Sequence, residues 1–375
     1  MAEKKTIVHV IDDLGRGGAE TLLVDLLKDL GNYYNIVLVT LMPNLEFNES
    51  DIHCQYRYCL NYKGRLSSPA AVIKLRKIIK KHKPVLVRSQ LLWGNIIARA
   101  ACPKSIPLVF SVHLTVSDGI YKFKRKGIIY KWIEKILYKP RHVLVGVTRE
   151  VIKDYDKTIG IRGKSYVLHN YVNDAYFHNE VNYVSPQQDQ LKLVAVGNPK
   201  KQKNYELLIR SFKLLKNKNI SCNIYGMSDY NVILQQEIEK YQLPIQLKGK
   251  AANIYEQLKC YDAYIMCSLF EGFGIAAAEA MAVGLPLFLS DIEVFREISH
   301  DNAIFFDPYD EKELAEKIKL FIDSKYDSRS MSIRGKNIAK ENYSKAAYLK
   351  KLLAIYDESI SAAAVANGSG VVSGE

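Results

Sequence analysis

Cysteine is scarce in this 375-residue chain, and it contains no long apolar run. The six cysteines are Cys54, Cys59, Cys102, Cys222, Cys260 and Cys267. No two of them form a C-x-x-C pair, so neither a disulfide scaffold nor a zinc ribbon is expected. Free thiols favour a reducing compartment such as the cytoplasm. No stretch of 18 uncharged apolar residues occurs, which argues against a transmembrane helix. The first apolar run ends at Asp12 and is too short for a signal peptide.

Acidic residues are under-represented in the first half of the chain. Residues 1–185 hold 29 Lys and Arg against 16 Asp and Glu, whereas the remainder is balanced, so the net charge of +13 comes entirely from the first half. This asymmetry predicts two domains with different partners, the first of them facing something anionic. Because no recognisable nucleic-acid-binding motif accompanies the charge, a nucleic acid is not the expected partner.

Short apolar strands alternate with amphipathic helical stretches along both halves, which predicts an α/β protein with a doubly wound parallel sheet in each half. A length of 375 residues also suits two domains. The predicted organisation is an N-terminal Rossmann-like domain over 1–180, a linker over 181–190, a C-terminal Rossmann-like domain over 191–342, a helix over 343–361 that could pack back on the first domain, and a flexible tail over 362–375.

The strongest chemical signal directly follows the predicted strand AYIMCSL. There Glu271 and Glu279 flank the start of a helix, and Gly272 and Gly274 would let the backbone approach a ligand closely. A helix N-terminus offers unpaired N–H groups to a phosphate, and carboxylates accept hydrogen bonds from sugar hydroxyls. A glycine turn with two solvated glutamates is the alternative interpretation.

The stretch SLFEGFGIAAAEAMAVGLP resembles the signature of the retaining glycosyltransferases of family 4 (GT4). The resemblance implies the GT-B fold, in which two tandem Rossmann-like domains have parallel sheets facing a central cleft. It also implies that Glu271 binds hydroxyls of the transferred sugar and that Glu279 holds the ribose of the nucleotide. The backbone of Gly272, Phe273, Gly274 and Ile275 would meet the sugar and the diphosphate.

The stretch VGNPKKQKNYELLIRSF resembles the family's glycine and basic loop at the donor diphosphate. Gly197 and Lys203 match that pattern, whereas Asn198 stands where the family usually has an arginine. Cations here would neutralise the charge that grows on the leaving nucleoside diphosphate. Without the other motifs, a surface lysine cluster would be the simpler interpretation.

Four further stretches resemble parts of the same family. Gly17 and Gly18 resemble glycines that face the donor phosphates. Taken alone, their glycine-rich loop would also fit dinucleotide binding. Gly226 and Lys250 resemble positions that border the nucleotide. His113 resembles a histidine near the reacting sugar carbon, where we expect substrate positioning rather than proton transfer; a structural histidine is the alternative.

Residues 121–142 hold eight Lys and Arg and one acid, interleaved with apolar residues at helical spacing. This pattern is typical of a helix that attaches to an anionic membrane surface. It also fits a helix that packs its apolar face on the first domain and exposes its lysines to solvent.

The resemblance implies a glycosyltransferase that moves a sugar from a nucleotide-sugar, with UDP the first expectation, to a hydroxyl acceptor with retention of configuration. A glycan or lipid-linked acceptor at the inner face of the plasma membrane, in bacterial surface polysaccharide or glycolipid assembly, fits the basic first domain. No metal or other cofactor is expected, and no D-x-D pair lies on a predicted loop. A GT-B-like nucleotide-sugar epimerase and a catalytically silent nucleotide-sugar-binding protein are the alternatives.

Overall fold

The computed structural model describes residues 4–117, 124–178, 191–215 and 219–368. It divides into two compact units, of which unit 1 comprises Met1–His169 with Leu349–Glu375 and unit 2 comprises Asn170–Tyr348. The expected linker, 181–190, lies outside the described residues, as do the last seven residues of the expected tail.

Unit 1 is a seven-stranded, all-parallel sheet with helices between the strands. Its strands are β1 (Thr6–Ile11), β2 (Asn35–Thr40), β3 (Tyr56–Cys59), β4 (Leu86–Gln90), β5 (Leu108–Val112), β6 (His142–Gly146) and β7 (Ser165–Val167). Its helices are α1 (Gly18–Leu30), α2 (Ser68–His82), α3 (Leu92–Ala101), α4 (Lys124–Leu137) and α5 (Arg149–Thr158). The strand order is β3-β2-β1-β4-β5-β6-β7, so the direction of winding reverses between β1 and β4.

The central strands of unit 1 are buried on both faces, which is why they appear in the sequence as nearly continuous apolar runs. Edge strand β3 is different, because its YRYC sequence is polar and mostly exposed. It pairs with β2 in parallel register from Val37↔Tyr56 to Thr40↔Cys59. Its weak apolar signal explains why the alternation pattern did not predict it.

Unit 2 is a six-stranded parallel sheet with the order β10-β9-β8-β11-β12-β13. The strands are β8 (Leu191–Val196), β9 (Ile220–Tyr225), β10 (Ile245–Gly249), β11 (Ala263–Met266), β12 (Leu287–Ser290) and β13 (Ile304–Phe306). The helices are α6 (Tyr205–Lys213), α7 (Asn231–Lys240), α8 (Ile254–Leu258), α9 (Ile275–Val283), α10 (Glu293–Ser299), α11 (Glu311–Ile322) and α12 (Ser328–Tyr343). Here the winding reverses between β8 and β11, and ligands of open α/β sheets bind at such switch points.

The last helix, α13 (Lys345–Gly368), belongs to unit 1 from Leu349 onward. Tyr356 is fully buried there and meets Tyr34 edge-to-face at 6.1 Å between ring centroids. Lys164 and Glu358 form an ion pair at 2.5 Å. The helix continues through the first seven residues of the stretch that we expected to be a flexible tail. No described helix is both long enough and apolar enough to cross a bilayer.

Candidate active site

Two loops meet at the switch point of unit 2 and bring a lysine and a glutamate together. Lys203 lies in a single 3-10 turn after β8, and Glu271 lies in the loop after β11. Lys203 Nζ is 2.7 Å from Glu271 Oε1, and the two side chains are only 17% and 10% exposed. Gln202 joins the same loops, because its side-chain amide donates to the Phe270 carbonyl at 2.8 Å and its own carbonyl accepts from Leu269 N at 2.9 Å. The fold therefore places a cation and a carboxylate, 68 residues apart in sequence, as one fixed pair.

Gly197 and Gly226 allow the loops after β8 and β9 to lie backbone against backbone. Both have positive φ, +152° and +147°. A Cβ atom on Gly226 would lie 2.3 Å from the Gly197 carbonyl oxygen, which leaves no room for any side chain. Asn198 Oδ1 accepts a hydrogen bond from Met227 N at 3.1 Å. In this structure Asn198, which departs from the usual arginine, therefore ties the two loops together.

Helix α9 begins at the same edge of the sheet. Its N-cap Gly274 has φ +76°, and a Cβ there would lie 2.7 Å from the Phe295 ring. The Phe273 side chain is buried and meets Tyr343 edge-to-face at 5.4 Å. With that side chain in the core, Phe273 presents its backbone at the loop, as Gly272 and Gly274 do. Ile275 is the first residue of α9. The start of this nine-residue helix thus combines close backbone approach with the positive end of a helix dipole.

Glu279, one turn into α9, has a carboxylate that is largely shielded from water. Burial raises its pKa to about 7, and a hydrogen bond with the Tyr176 hydroxyl opposes that shift. Tyr176 lies in a 3-10 turn, Asp174–Tyr176, and meets Tyr255 edge-to-face at 5.8 Å. Sequence reasoning missed Tyr176, which stands in none of the motifs of the candidate donor site.

Lys250 is less closely connected to the candidate donor site than the other predicted donor residues are. It is exposed and follows the end of β10, two strands away from β8 in the sheet. Its neighbour Gly249 accepts a hydrogen bond from Gly226 N at 2.8 Å, which connects this loop to the glycine pair.

His113 in unit 1 follows β5 and lines a cavity of about 790 Å³. Its Nε2 lies 3.1 Å from Gln90 Oε1. Burial, together with the positive charge of the nearby Arg88, lowers the pKa of His113 to about 4. The imidazole is therefore neutral at physiological pH and offers hydrogen bonds rather than a positive charge.

The cavity wall is largely apolar and aromatic. Trp93 meets Tyr130 edge-to-face at 5.6 Å, and the Arg65 guanidinium lies 4.7 Å from the centre of the Tyr130 ring. Leu66 and Leu114 are exposed on the same wall. Apart from His113, these residues were not among the predicted site residues, because they come from separate loops that no single motif connects.

Beneath the cavity, a buried ion pair fixes α4 to α3. Arg99 pairs with Glu134, and the Tyr155 hydroxyl donates to Glu134 Oε2 at 2.9 Å. Arg99 and Glu134 are 3% and 5% exposed, so their charges are neutralised inside unit 1.

Gly17 and Gly18 lie at the N-terminus of α1, with Gly17 as the N-cap. A Cβ on Gly17 would lie 2.4 Å from Glu20 Oε2, whereas a Cβ on Gly18 would meet nothing within 4 Å. At the neighbouring helix start, Asp12 accepts hydrogen bonds from Gly94 N at 2.5 Å and Trp93 N at 3.4 Å. Burial raises the pKa of Asp12 to about 6. Sequence reasoning missed Asp12, which fills the N-terminus of α3 at the switch point of unit 1.

No group of three or more His, Cys, Asp or Glu side chains that could hold a metal ion occurs within the part of the chain that the structure describes.

Comparison with known proteins identifies the class. Residues 16–176 match the family model described as Glycosyltransferase Family 4, and residues 180–338 match the one described as Glycosyl transferases group 1. The chain therefore belongs to glycosyltransferase family 4, as the EGFGIAAAE stretch predicted.

Two bacterial sugar transferases are distant relatives of the chain. Over 248 residues the chain is 28% identical to the O-antigen chain mannosyltransferase RfbU of Salmonella typhimurium, covering 62% of this chain and 67% of that protein. Over 245 residues it is 26% identical to the Escherichia coli UDP-Gal:alpha-D-GlcNAc-diphosphoundecaprenol alpha-1,3-galactosyltransferase, covering 59% and 62%.

Anabaena HepE, solved in complex with UDP, superposes with a TM-score of 0.79 at 16% identity, covering 94% of this chain and 100% of that one. This likeness confirms the predicted GT-B fold. The chain is thus a GT-B glycosyltransferase related to bacterial polysaccharide mannosyl- and galactosyltransferases.

Proposed function

We propose that this glycosyltransferase moves a sugar from a UDP-sugar to a hydroxyl of a lipid-linked glycan, with retention of configuration, in the assembly of a bacterial surface polysaccharide. The observation that carries the donor half is the Lys203–Glu271 pair at the switch point of unit 2. The UDP bound to Anabaena HepE and the UDP-Gal named for the E. coli relative support the choice of nucleotide.

Each side chain has a distinct part in this proposal. The Lys203 ammonium and the start of α9 take the negative charge that builds on the leaving diphosphate. The Glu271 carboxylate, held by Lys203, accepts hydrogen bonds from hydroxyls of the transferred sugar and orients its ring. Glu279 accepts hydrogen bonds from the ribose, and Tyr176 keeps its carboxylate in place. Neutral His113 positions the sugar or the acceptor without transferring a proton.

The experiment that tests the donor half measures the affinity for UDP-glucose and UDP-galactose in the wild type and in Glu279→Gln. At pH 8 we expect Glu279→Gln to raise the Kd about 10- to 30-fold. A hydrogen bond to an ionised carboxylate contributes about 1.5–3 kcal/mol, and the neutral amide oxygen of glutamine retains part of it, which leaves a loss of about 1.4–2 kcal/mol. Since the pKa of Glu279 is raised to about 7, its carboxylate becomes protonated as pH falls below that value, and wild-type affinity should decline. At pH 5.5 the two proteins should differ by less than about threefold.

Two outcomes would contradict this assignment. One is a wild-type affinity that does not change between pH 8 and pH 5.5, and the other is an unchanged Kd in Glu279→Gln at pH 8.

A further experiment tests the other two classes of function. Conversion of the UDP-sugar during incubation without an acceptor would favour an epimerase. Binding of the donor without transfer to any lipid-linked acceptor would favour a binding protein.

We also propose that transfer needs no metal ion, because Lys203 and the α9 N-terminus serve the diphosphate. Activity in excess EDTA should therefore stay within about twofold of the untreated enzyme, since the positive charge is part of the chain. Complete loss in EDTA with recovery on addition of Mn²⁺ would contradict the proposal.

We propose that α4 attaches unit 1 to a membrane. Four of its apolar side chains, Ile128, Ile129, Trp132 and Ile136, are 48–63% exposed and lie on one face, the α4 stripe. The opposite face packs inward through Glu134 and Tyr130. The exposed stripe supports the membrane interpretation of the 121–142 pattern, and the inward face supports the packing interpretation. Residues 121–123 of the pattern lie outside the described structure.

Ile136→Asp should lower binding to phosphatidylcholine–phosphatidylglycerol vesicles by about tenfold, because inserting an isoleucine side chain contributes about 1.5–3 kcal/mol. Ile333→Asp makes the same change at a site of similar exposure on α12 and should have little effect. Equal loss in both variants, measured by vesicle sedimentation, would count against the α4 stripe.

A further inference from the structure

A second concave surface of unit 1, a groove of about 810 Å³, is lined by cations and lies apart from the candidate active site. Its charged lining residues at the surface are Arg76, Lys80, Lys83, Lys104 and Arg141. None of these five forms an ion pair with any residue in the described ranges. Arg99 also lines the groove, but Glu134 neutralises it.

The two guanidinium groups at the groove are held in place by the backbone between them. Arg76 Nη2 donates to the Ala100 carbonyl at 2.8 Å, and Arg141 Nη2 donates to the Cys102 carbonyl at 3.3 Å. Each guanidinium has five N–H donors, so most of them stay available to a ligand. A pair of anchored guanidiniums suits a phosphate, which arginine binds through two parallel hydrogen bonds.

The sequence around the groove contains no opposing charge. From Ile52 to Ser117 there is no Asp or Glu, while 12 Lys and Arg occur in the same 66 residues. Helix α2 alone holds five of these cations. Together with the absence of ion pairs to the five groove cations in the described ranges, this excess of positive charge makes the groove a surface that attracts anions.

The groove lies at the edge of the sheet opposite to His113. Lys83, Lys104 and Arg141 lie one to four residues before the starts of β4, β5 and β6, whereas His113 follows the carboxyl end of β5. Because all strands are parallel, residues that precede them and residues that follow them lie at opposite edges. The groove is thus not part of the cavity that contains His113.

Helix α4 connects the two edges. Tyr130, in its first half, lines the His113 cavity, and Arg141, four residues beyond its end, lines the groove. The α4 stripe runs for about 12 Å between them, at 1.5 Å per residue. A surface that covers the stripe would reach the groove at one end and the cavity at the other.

We propose that this groove binds the phosphate headgroup of an anionic phospholipid while the α4 stripe enters the same leaflet. An anionic bilayer supplies both chemistries at once, acyl chains for the isoleucines and tryptophan and phosphates for the anchored cations. A soluble anion would leave the stripe without a partner. The site builds on the membrane attachment proposed for α4 and is independent of the sugar-transfer chemistry.

The test compares two double variants with the same change in net charge. Lys80→Gln with Lys104→Gln removes two groove cations, whereas Lys28→Gln with Lys77→Gln removes two exposed lysines that do not line the groove. Sedimentation is measured with vesicles of phosphatidylcholine that contain about one third phosphatidylglycerol. We expect about a 30-fold weaker partition for the groove variant and less than threefold for the control, because each lysine at an anionic surface contributes about 1 kcal/mol.

Equal losses of vesicle binding in the two double variants would overturn the groove site, because they would indicate non-specific electrostatic attraction between the protein and the vesicle. Retained vesicle binding, together with loss of stabilisation by inorganic phosphate in the groove variant, would assign the groove to a soluble anion and overturn the lipid assignment. No vesicle binding by the wild type would overturn both the groove site and the α4 attachment. UDP-sugar affinity, measured in parallel, should be unchanged in both double variants, so the result stays separate from that of the donor site.

Discussion

Replacing Lys203 with alanine is expected to lower kcat by about 100- to 1,000-fold, the usual effect of removing one preorganised group that stabilises developing charge. In unit 2, Lys203 is 2.7 Å from Glu271, and both side chains are largely shielded from water. Alanine would remove the cation that we propose faces the diphosphate and would also leave Glu271 free to change its orientation. The KM for the UDP-sugar should rise less than kcat falls, because the charge on the leaving group is greater in the transition state than in the bound donor.

Lys201→Ala is the matched control for Lys203→Ala. Lys201 lies in the same 3-10 turn but is exposed, so kcat should change by less than about threefold. Thermal denaturation of both variants checks that the loop still folds. Similar kcat values for Lys203→Ala and the wild type would remove Lys203 from the site and leave the charge to the helix N-terminus alone.

The sequence predicted the elements of the donor site better than their arrangement. Lys203, Glu271 and Glu279 each stand in a motif that follows a strand, so local patterns were sufficient to propose them as donor-site residues. The ion pair between Lys203 and Glu271 depends on β8 and β11 being neighbours, which no local pattern contains. Tyr176 was missed for the same reason, because its hydrogen bond to Glu279 joins residues about 100 positions apart in the chain.

The structural role of Asn198 could not be predicted from its departure from the family pattern. In sequence it was simply a missing arginine at the donor loop. In the structure its side chain holds the loops after β8 and β9 together through Met227 N. The partly buried cation that the fold places beside Glu271 is Lys203.

The first domain was harder to predict because its functional surfaces are composed of scattered side chains. The His113 cavity draws on the loops after β4 and β5 and on α4, and only His113 carried a recognisable signal. Helix α4 shows a second limit. Its apolar spacing predicted an amphipathic helix, but the sequence did not show that one apolar face would stay exposed while Glu134 and Tyr130 faced inward.

Gly226→Ala is expected to destabilise unit 2 by at least about 3 kcal/mol, among the larger losses for a single substitution. The new Cβ would lie 2.3 Å from the Gly197 carbonyl oxygen, 2.6 Å from its carbon and 2.9 Å from Asn198 N. All three are backbone atoms, so no side chain can rotate away to make room. A φ of +147° adds strain, because side chains other than glycine rarely adopt it.

Gly18→Ala is the control, because a Cβ at Gly18 would meet nothing within 4 Å. Alanine at this position, at the start of α1, should raise the free energy of unfolding by about 0.5–1 kcal/mol. Urea denaturation of both variants measures the difference in their free energies of unfolding.

In Gly226→Ala, relief of the clash with Gly197 requires the loop after β8 to move away from β9, and the same loop carries Lys203. Gly226→Ala should therefore lose transfer activity even below its unfolding transition, whereas a variant of normal stability and activity would mean that the two loops do not lie backbone against backbone.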